Sequence, residues 1–146
     1  VRLNQDRPCH ASTLGMLNTS LYQQRQFEAQ LLILETGARD CPNLLPVVNN
    51  YAWALATLPE AKLRDGAKAI QLIRNVIAKP GQRSPAFLDT LAAGLAEEGK
   101  FDEAIEMQTE VIKMLREAGA AEDVMRQFIQ HLDTYRSSLP LRDPPV

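Results

Sequence analysis

Residues 84–117 read SPAFLDTLAAGLAEEGKFDEAIEMQTEVIKMLRE, and this stretch decides the fold. Ser84 and Pro85 supply a helix cap and a first-turn proline, and apolar residues then recur with helical spacing. Gly99 interrupts the pattern, and glycine readily adopts the left-handed conformation that ends a helix. Asp102 follows, where an acidic side chain favours the positive end of a new helix. The stretch therefore predicts two amphipathic helices joined by a tight bend.

Two earlier segments carry weaker versions of the same pattern. Leu14, Leu17 and Leu21 form one helical stripe, and a second stripe starts at Phe27. Further along, Pro46 opens another helix, whose bend is about five residues longer than usual for a helical hairpin of this size. We predict three helical hairpins, at about residues 11–42, 45–80 and 84–117.

The third hairpin resembles the tetratricopeptide (TPR) repeat, a helix A, a tight bend and a helix B with a period of about 34 residues. The residues that match the TPR pattern in order are Leu91, Ala92, Leu95, Gly99, Phe101 and Ala104. Pro8 and Pro42 are also 34 positions apart. The first hairpin departs from the pattern, since Asn18, Arg25 and Gln30 stand where small residues are usual.

The segments NNYAW, FLDTLAA and YRSSLP are also similar to the C-terminal end of bacterial TPR-containing proteins. The resemblance implies an all-α fold, a right-handed superhelix of TPR-like hairpins closed by a C-terminal capping helix at about 122–137. We expect residues 1–140 to form a single domain and residues 138–146 an extended tail. Residues 1–8 resemble the end of a preceding helix B, which favours a longer array upstream. The residues expected on the apolar side of the capping helix are Val124, Met125, Phe128, Ile129, Leu132 and Tyr135.

Composition argues against several classes of function. The formal net charge is -2 with both signs scattered, so no basic footprint for nucleic acid is present. No stretch approaches the roughly 20 apolar residues of a membrane span, and membrane insertion by this segment is not expected. The opening VRLNQDRPCH lacks both an initiator Met and an apolar signal core, which favours a processed or excised piece. We expect a soluble protein, with cytoplasm and periplasm both open.

Catalytic and metal-binding patterns are weak. Residues 94–100 match GxxxxGK, but Phe101 replaces the Ser or Thr of a phosphate-binding loop, and a helix precedes the loop instead of a strand. Cys9 and His10 lie far from His131, so neither metal spacing nor a nucleophile with its base is evident, and His131 is interpreted as a boundary residue. We expect no enzyme activity, no metal and no cofactor.

Cys9 and Cys41 form a candidate disulfide. Cys9 precedes the first helix and Cys41 ends the second, and antiparallel packing brings those two ends together. A bridge there would contribute about 3 kcal/mol in the chain-entropy description. The alternative is a pair of free thiols, since two cysteines carry little information about redox compartment.

The TPR resemblance implies a groove lined by helix A side chains, where a partner peptide or helix lies. The candidate groove residues are Tyr22, Asn49, Asn50, Trp53 and Asp89. The predicted lining also includes Ala56, Thr57, Ala93, Ala96 and Glu97. Alternatively, Trp53 fills a gap to a neighbouring helix, and the asparagines bridge adjacent hairpins. Of the positions that grip a carboxylate in chaperone-binding TPR proteins, only Asn50 fits, so an acidic chaperone tail is not the expected ligand.

The sequence thus favours a non-catalytic scaffold that binds a protein or peptide partner of unknown identity. Two alternatives remain open at this point. One is a structural module that self-associates as a homo-oligomer through its N-terminal end. The other is an accessory TPR domain of a larger enzyme, such as a glycosyltransferase.

Overall fold

A computed structural model describes residues 9–146, and within that range the chain is helical without strands. This confirms the predicted all-α class. The elements are α1 (Ala11–Gln23), α2 (Phe27–Asp40), α3 (Leu45–Thr57), a short 3-10 helix (Ala61–Leu63), α4 (Gly66–Ile77), α5 (Pro85–Glu97), α6 (Phe101–Glu117) and α7 (Glu122–Arg136). The predicted likeness of residues 1–8 to a preceding helix lies outside the described residues.

The helices pack mainly against their neighbours in sequence. Each helix from α1 to α6 contacts the next one, and α1 and α3, as well as α3 and α5, also touch. The short connections make consecutive helices antiparallel, so α1, α3 and α5 lie side by side in one layer. Their common surface, away from α2, α4 and α6, is called the odd-helix face below.

Four helices end in the same type of turn. At the end of α5 the Lys100 N–H donates to the Leu95 carbonyl, and Gly99 has a φ of +76°, as its position predicted. After α1 and α7, however, the left-handed position is occupied by Arg25 and Ser138, each with a φ of 55°. Such a conformation costs a non-glycine residue about 1 kcal/mol. The turn at Ser138 sends the C-terminal residues back over the helices.

The long bend between α3 and α4 is held by its own side chains. Asp65 caps α4 by accepting from the Lys68 N–H at 3.0 Å. The Arg64 side chain donates to the Leu58 and Pro59 carbonyls at 2.8 and 3.0 Å. Arg64 of this bend therefore satisfies the two carbonyls that directly follow α3.

One large apolar cluster runs through the array from α2 to α6 and includes Tyr135 of α7. Ala92 and Ala104, two of the residues that match the TPR pattern, are fully buried. The prediction for α7 is partly wrong, because Val124 and Ile129 are 45% and 37% exposed. With no further helix described after it, α7 buries only the narrower side that faces the preceding helices.

The first hairpin is closed covalently. A disulfide joins Cys9 to Cys41, with their Cα atoms 5.9 Å apart, so the start of α1 is tied to the end of α2. Among residues 9–146, none of the helices is both long and apolar enough to cross a bilayer.

Candidate functional site

Residues 139–146, called the C-terminal segment below, fold back onto the odd-helix face. The segment has no helix or strand. Its Leu141 side chain packs against the main apolar cluster, and its next two residues bind groups on α1, α3 and α5. Two of the five predicted groove residues, Tyr22 and Trp53, therefore bind the chain's own end.

Asp143 is the centre of these contacts. Its Oδ1 accepts a hydrogen bond from the Tyr22 hydroxyl at 2.5 Å, and its Oδ2 accepts one from Trp53 Nε1 at 2.7 Å. Its backbone N–H donates to the Thr57 carbonyl at 3.0 Å. Because Thr57 is the last residue of α3, this carbonyl has no acceptor role within the helix. Helices α1 and α3 thus each supply a donor for the carboxylate, and α3 also supplies an acceptor for the backbone N–H.

Arg142 enters a second polar contact beside the first. Glu97, at the end of α5, binds the Arg64 Nε through Oε1 at 2.9 Å and the Arg142 Nη1 through Oε2 at 2.6 Å. All three side chains are between 14% and 21% exposed. A carboxylate at a helix C-terminus is disfavoured by the helix dipole, and the two guanidinium groups offset this cost.

Burial corrects part of the predicted lining. Ala56, Thr57, Ala93 and Ala96 were expected on an open surface, but each is at most 1% exposed. Small side chains at these positions let the helices approach closely. They are therefore part of the buried interior instead of an open peptide-binding surface.

Asp89 makes a different contact from the one predicted. Its Oδ1 lies 3.0 Å from the His131 Nδ1 of α7, and both residues are 8% exposed. The His131 ring also lies 5.7 Å from the Trp53 ring. Burial, and then the Asp89 carboxylate, raise the pKa of Tyr135 well above its ordinary value. Asp89 thus connects α5 to α7, and His131 is a buried partner instead of a boundary residue.

Asn49 and Asn50 lie one turn of α3 before Trp53, and both are half-buried. The Oδ1 atom of Asn49 is buried and has no hydrogen-bond partner in the described part of the chain. A buried amide oxygen of this kind is costly unless a donor reaches it. The predicted role of the two asparagines in holding a ligand stays a prediction.

The half-buried position of Tyr22 beside Asp143 raises the pKa of its phenol. Burial first, and then the hydrogen bond and charge of Asp143, raise its pKa from 10.0 to about 12. The phenol is consequently protonated over the physiological range and can act as a donor to a carboxylate.

The C-terminal segment does not fill the groove completely. A cavity of about 490 Å³ remains between the segment and α7, and its helical wall includes Trp53, Gln127, Gln130, His131 and Thr134. This wall offers an aromatic surface together with several neutral hydrogen-bonding groups.

The sequence predicted Tyr22 and Trp53 as site residues, but it did not predict the segment that binds them. Tyr22 and Trp53, which are 31 residues apart in sequence, converge on one carboxylate. Arg142 and Asp143 were treated as part of a tail. A usable signal was present, because these two are the only charged residues in a proline-rich end that reads SLPLRDPPV.

Within residues 9–146, no three His, Cys, Asp or Glu side chains lie close enough together to hold a metal ion. Comparisons of the chain with family models, with curated proteins and with solved structures gave no match.

Proposed function

We propose that the protein is a non-catalytic interaction module of TPR-like architecture, whose odd-helix face holds an extended segment of a partner protein. The observation that carries the proposal is the seating of residues 141–143, which bind this face through backbone, carboxylate and guanidinium groups together. A surface that holds one extended segment in this way has the chemistry to hold another.

Support for the TPR-like architecture comes from the order of helix contacts. Each helix packs on its neighbours in sequence, and α1, α3 and α5 form a layer of their own. The buried Ala92 and Ala104 and the left-handed Gly99 occur at the positions that carry the resemblance. A right-handed superhelical array accounts for these three features together.

Support for an extended ligand comes from the groups that the face presents. The Thr57 carbonyl accepts the backbone N–H of Asp143. Helices rarely offer a free carbonyl to a ligand, because most of their carbonyls accept hydrogen bonds within the helix. The Tyr22 hydroxyl and the Trp53 indole combine large contact area with a hydrogen-bond donor, as residues at binding hot spots do.

The test uses the full chain with its own segment weakened, as the double substitution Arg142→Ala and Asp143→Ala. A library of random extended peptides is added, and backbone amide chemical shifts are followed. We expect binding peptides to move resonances of α1, α3 and α5. Shift changes confined to α2, α4 and α6, or no binder in the library, would contradict the proposed function.

A second candidate function, self-association, is favoured by one observation on the first hairpin. Met16, Leu17 and Leu32 are 68%, 42% and 44% exposed, so α1 and α2 present apolar groups to solvent. The part of this prediction that concerned residues 1–8 lies outside the described residues. A stable dimer in light scattering that persists in Trp53→Ala and is lost in Leu17→Glu would favour self-association.

A further inference from the structure

We propose that the groove selects a partner segment in which an apolar residue is followed directly by an Arg–Asp pair, and that residues 141–143 are a built-in stand-in that such a segment displaces. This inference rests on the proposed function and names the ligand chemistry that goes with it. The ligand is defined by three subsites.

The first subsite is selective for a carboxylate on a short side chain. Trp53 Nε1 can only donate a hydrogen bond, so the group opposite it must be an acceptor. Tyr22 donates to the second oxygen of the same carboxylate. An amide in this place would keep one acceptor and lose the charge-assisted character of both bonds. Because the backbone N–H is fixed on Thr57, the longer side chain of Glu would push its carboxylate beyond these donors.

The second subsite is selective for a guanidinium group. Arg64 uses one oxygen of Glu97, which leaves the other oxygen directed at the ligand. Arg64 and Glu97 cancel each other's charge, and so do Arg142 and Asp143. A neutral Arg–Asp pair therefore enters the site without leaving an uncompensated charge. A purely acidic or purely basic segment would leave an uncompensated charge among side chains that are less than about a quarter exposed.

The third subsite sets the register. Leu141 packs on the main apolar cluster, and two residues later the Asp143 N–H meets the Thr57 carbonyl. This backbone bond fixes the distance between the apolar contact, the guanidinium and the carboxylate. Order therefore matters, and an Asp–Arg pair in the same place would set each charged group against the wrong partner.

Two observations indicate that the chain's own segment is a partial fit. A cavity of about 490 Å³ stays open beside it, and the Asn49 Oδ1, one helical turn before Trp53, is buried without a hydrogen-bond partner among the described residues. A partner segment that also fills this cavity would gain contacts with the wall formed by Trp53 and α7 that the chain's own segment lacks, and this gain favours exchange.

The experiment uses the full chain carrying Arg142→Ala and Asp143→Ala, and a synthetic peptide, SLPLRDPPV, as the probe. Binding is followed by the fluorescence of Trp53, which is the single tryptophan of the chain, and by amide chemical shifts. We expect the probe to bind the double variant roughly tenfold or more tighter than it binds the unaltered chain, whose own segment competes. Asp133→Asn, a change in an exposed carboxylate of α7, serves as the control and should behave like the unaltered chain.

Altered probes test each subsite. SLPLADPPV, SLPLRNPPV and the reversed SLPLDRPPV are each expected to bind roughly tenfold more weakly than SLPLRDPPV. The substitution Glu97→Gln should remove the difference between SLPLRDPPV and SLPLADPPV and keep the preference for Asp. Trp53→Phe, in which binding is followed by amide chemical shifts alone, should weaken the preference for Asp over Asn and keep the preference for Arg. If the double variant loses helix content, Asp143→Asn alone takes its place, with the same expected order of probes.

The outcomes separate the inference from the function it rests on. If peptides bind α1, α3 and α5 equally well with or without the Arg–Asp pair, the ligand chemistry is overturned and the groove function stands. If neither the probes nor the random library shift these helices, both are overturned. If the unaltered chain is a dimer that the double variant loses, the occupant is the segment of a second copy, and the external partner is overturned.

Discussion

Asp143 joins side chains that are far apart in the sequence, 121 residues away at Tyr22 and 90 residues away at Trp53. Both donors are aromatic, so each contributes a large contact area as well as a hydrogen bond. The two neutral donors stabilise the charge of this carboxylate through hydrogen bonds, although none of the predicted groove residues is a cation.

Tyr22 gives this contact a dependence on pH. Its pKa is raised from 10.0 to about 12 in the folded chain, so the protonated phenol is favoured by folding. The stabilisation is therefore complete below pH 10 and is lost as the pH rises towards about 12, where a phenolate would face Asp143. We expect tyrosinate absorbance to show a step near pH 12 that is absent in Tyr22→Phe.

Asp143→Asn provides the control for this titration. It should lower the Tyr22 pKa only part of the way, because burial, the larger cause of the shift, remains. A step that stays unchanged in Asp143→Asn would contradict the contact between the phenol and the carboxylate.

The buried pair of Asp89 and His131 should contribute to stability in a coupled way. His131→Ala leaves the Asp89 carboxylate buried without its partner, which we expect to cost about 2 kcal/mol in the free energy of unfolding. The double variant with Asp89→Ala should cost less than the sum of the single changes by about 1 kcal/mol or more. The other histidine, His10, is exposed, and His10→Ala should change stability by less than about 0.5 kcal/mol. Additive single changes in urea unfolding would show that the pair is not coupled.

At the scale of the helices, two glycines of the first hairpin test how closely its elements pack. An added Cβ at Gly15 would meet no atom within 4 Å, so Gly15→Ala should stabilise the protein by about 0.5–1 kcal/mol through helix propensity. At Gly37 the same atom would lie 2.9 Å from Val47 Cγ1 and 3.4 Å from Leu14 Cδ1, and all three residues are buried. Gly37→Ala should therefore destabilise by about 1–2 kcal/mol.

Urea unfolding of the two alanine variants measures both effects in one hairpin. If both substitutions stabilise the protein, the approach of α2 to α3 is looser than these distances indicate. The comparison is matched, because each change adds one methyl group within a helix.

The sequence predicted individual helices better than it predicted their exposure. Helical spacing of apolar residues and a left-handed Gly99 are local signals, and the chain follows them. Exposure depends on what packs against a helix, so Val124 and Ile129 were assigned to the apolar side of α7 although little covers them. Similarly, nothing in the local pattern indicated that Asp89 would be covered by His131, which lies 42 residues later.

At the scale of the whole molecule, the C-terminal segment is the feature that local patterns could not place. Tyr22 and Trp53 were reached because the TPR resemblance assigns them to helix A positions that line a groove. The position of residues 139–146 depends on a turn at Ser138, where the sequence offers no glycine, and on long-range hydrogen bonds. A nonhelical end with three prolines has no periodic signal from which such a path follows.

A linear array of helices gains cooperativity when its last residues bind its first helix. In repeat proteins each unit contacts only its neighbours, so the ends open independently. Here Asp143 adds a contact to α1 across 121 residues, and further hydrogen bonds from the segment reach α3 and α5. The segment should therefore suppress local opening of α1. The other main contacts described for α1 are with α2 and α3, and the disulfide ties its start to the end of α2.

This long-range tie leads to a prediction for amide hydrogen exchange. Asp143→Asn weakens the bonds from Tyr22 and Trp53, so we expect faster exchange in α1 and at the end of α3. The amides of α6 receive none of the described hydrogen bonds of the segment, and their protection should not change. Asp133→Asn, which alters an exposed carboxylate of α7, should leave both regions as they are. An equal loss of protection in α1 and α6 would mean that Asp143 acts on global stability, and the segment would then be part of the core instead of a tie between the ends of the array.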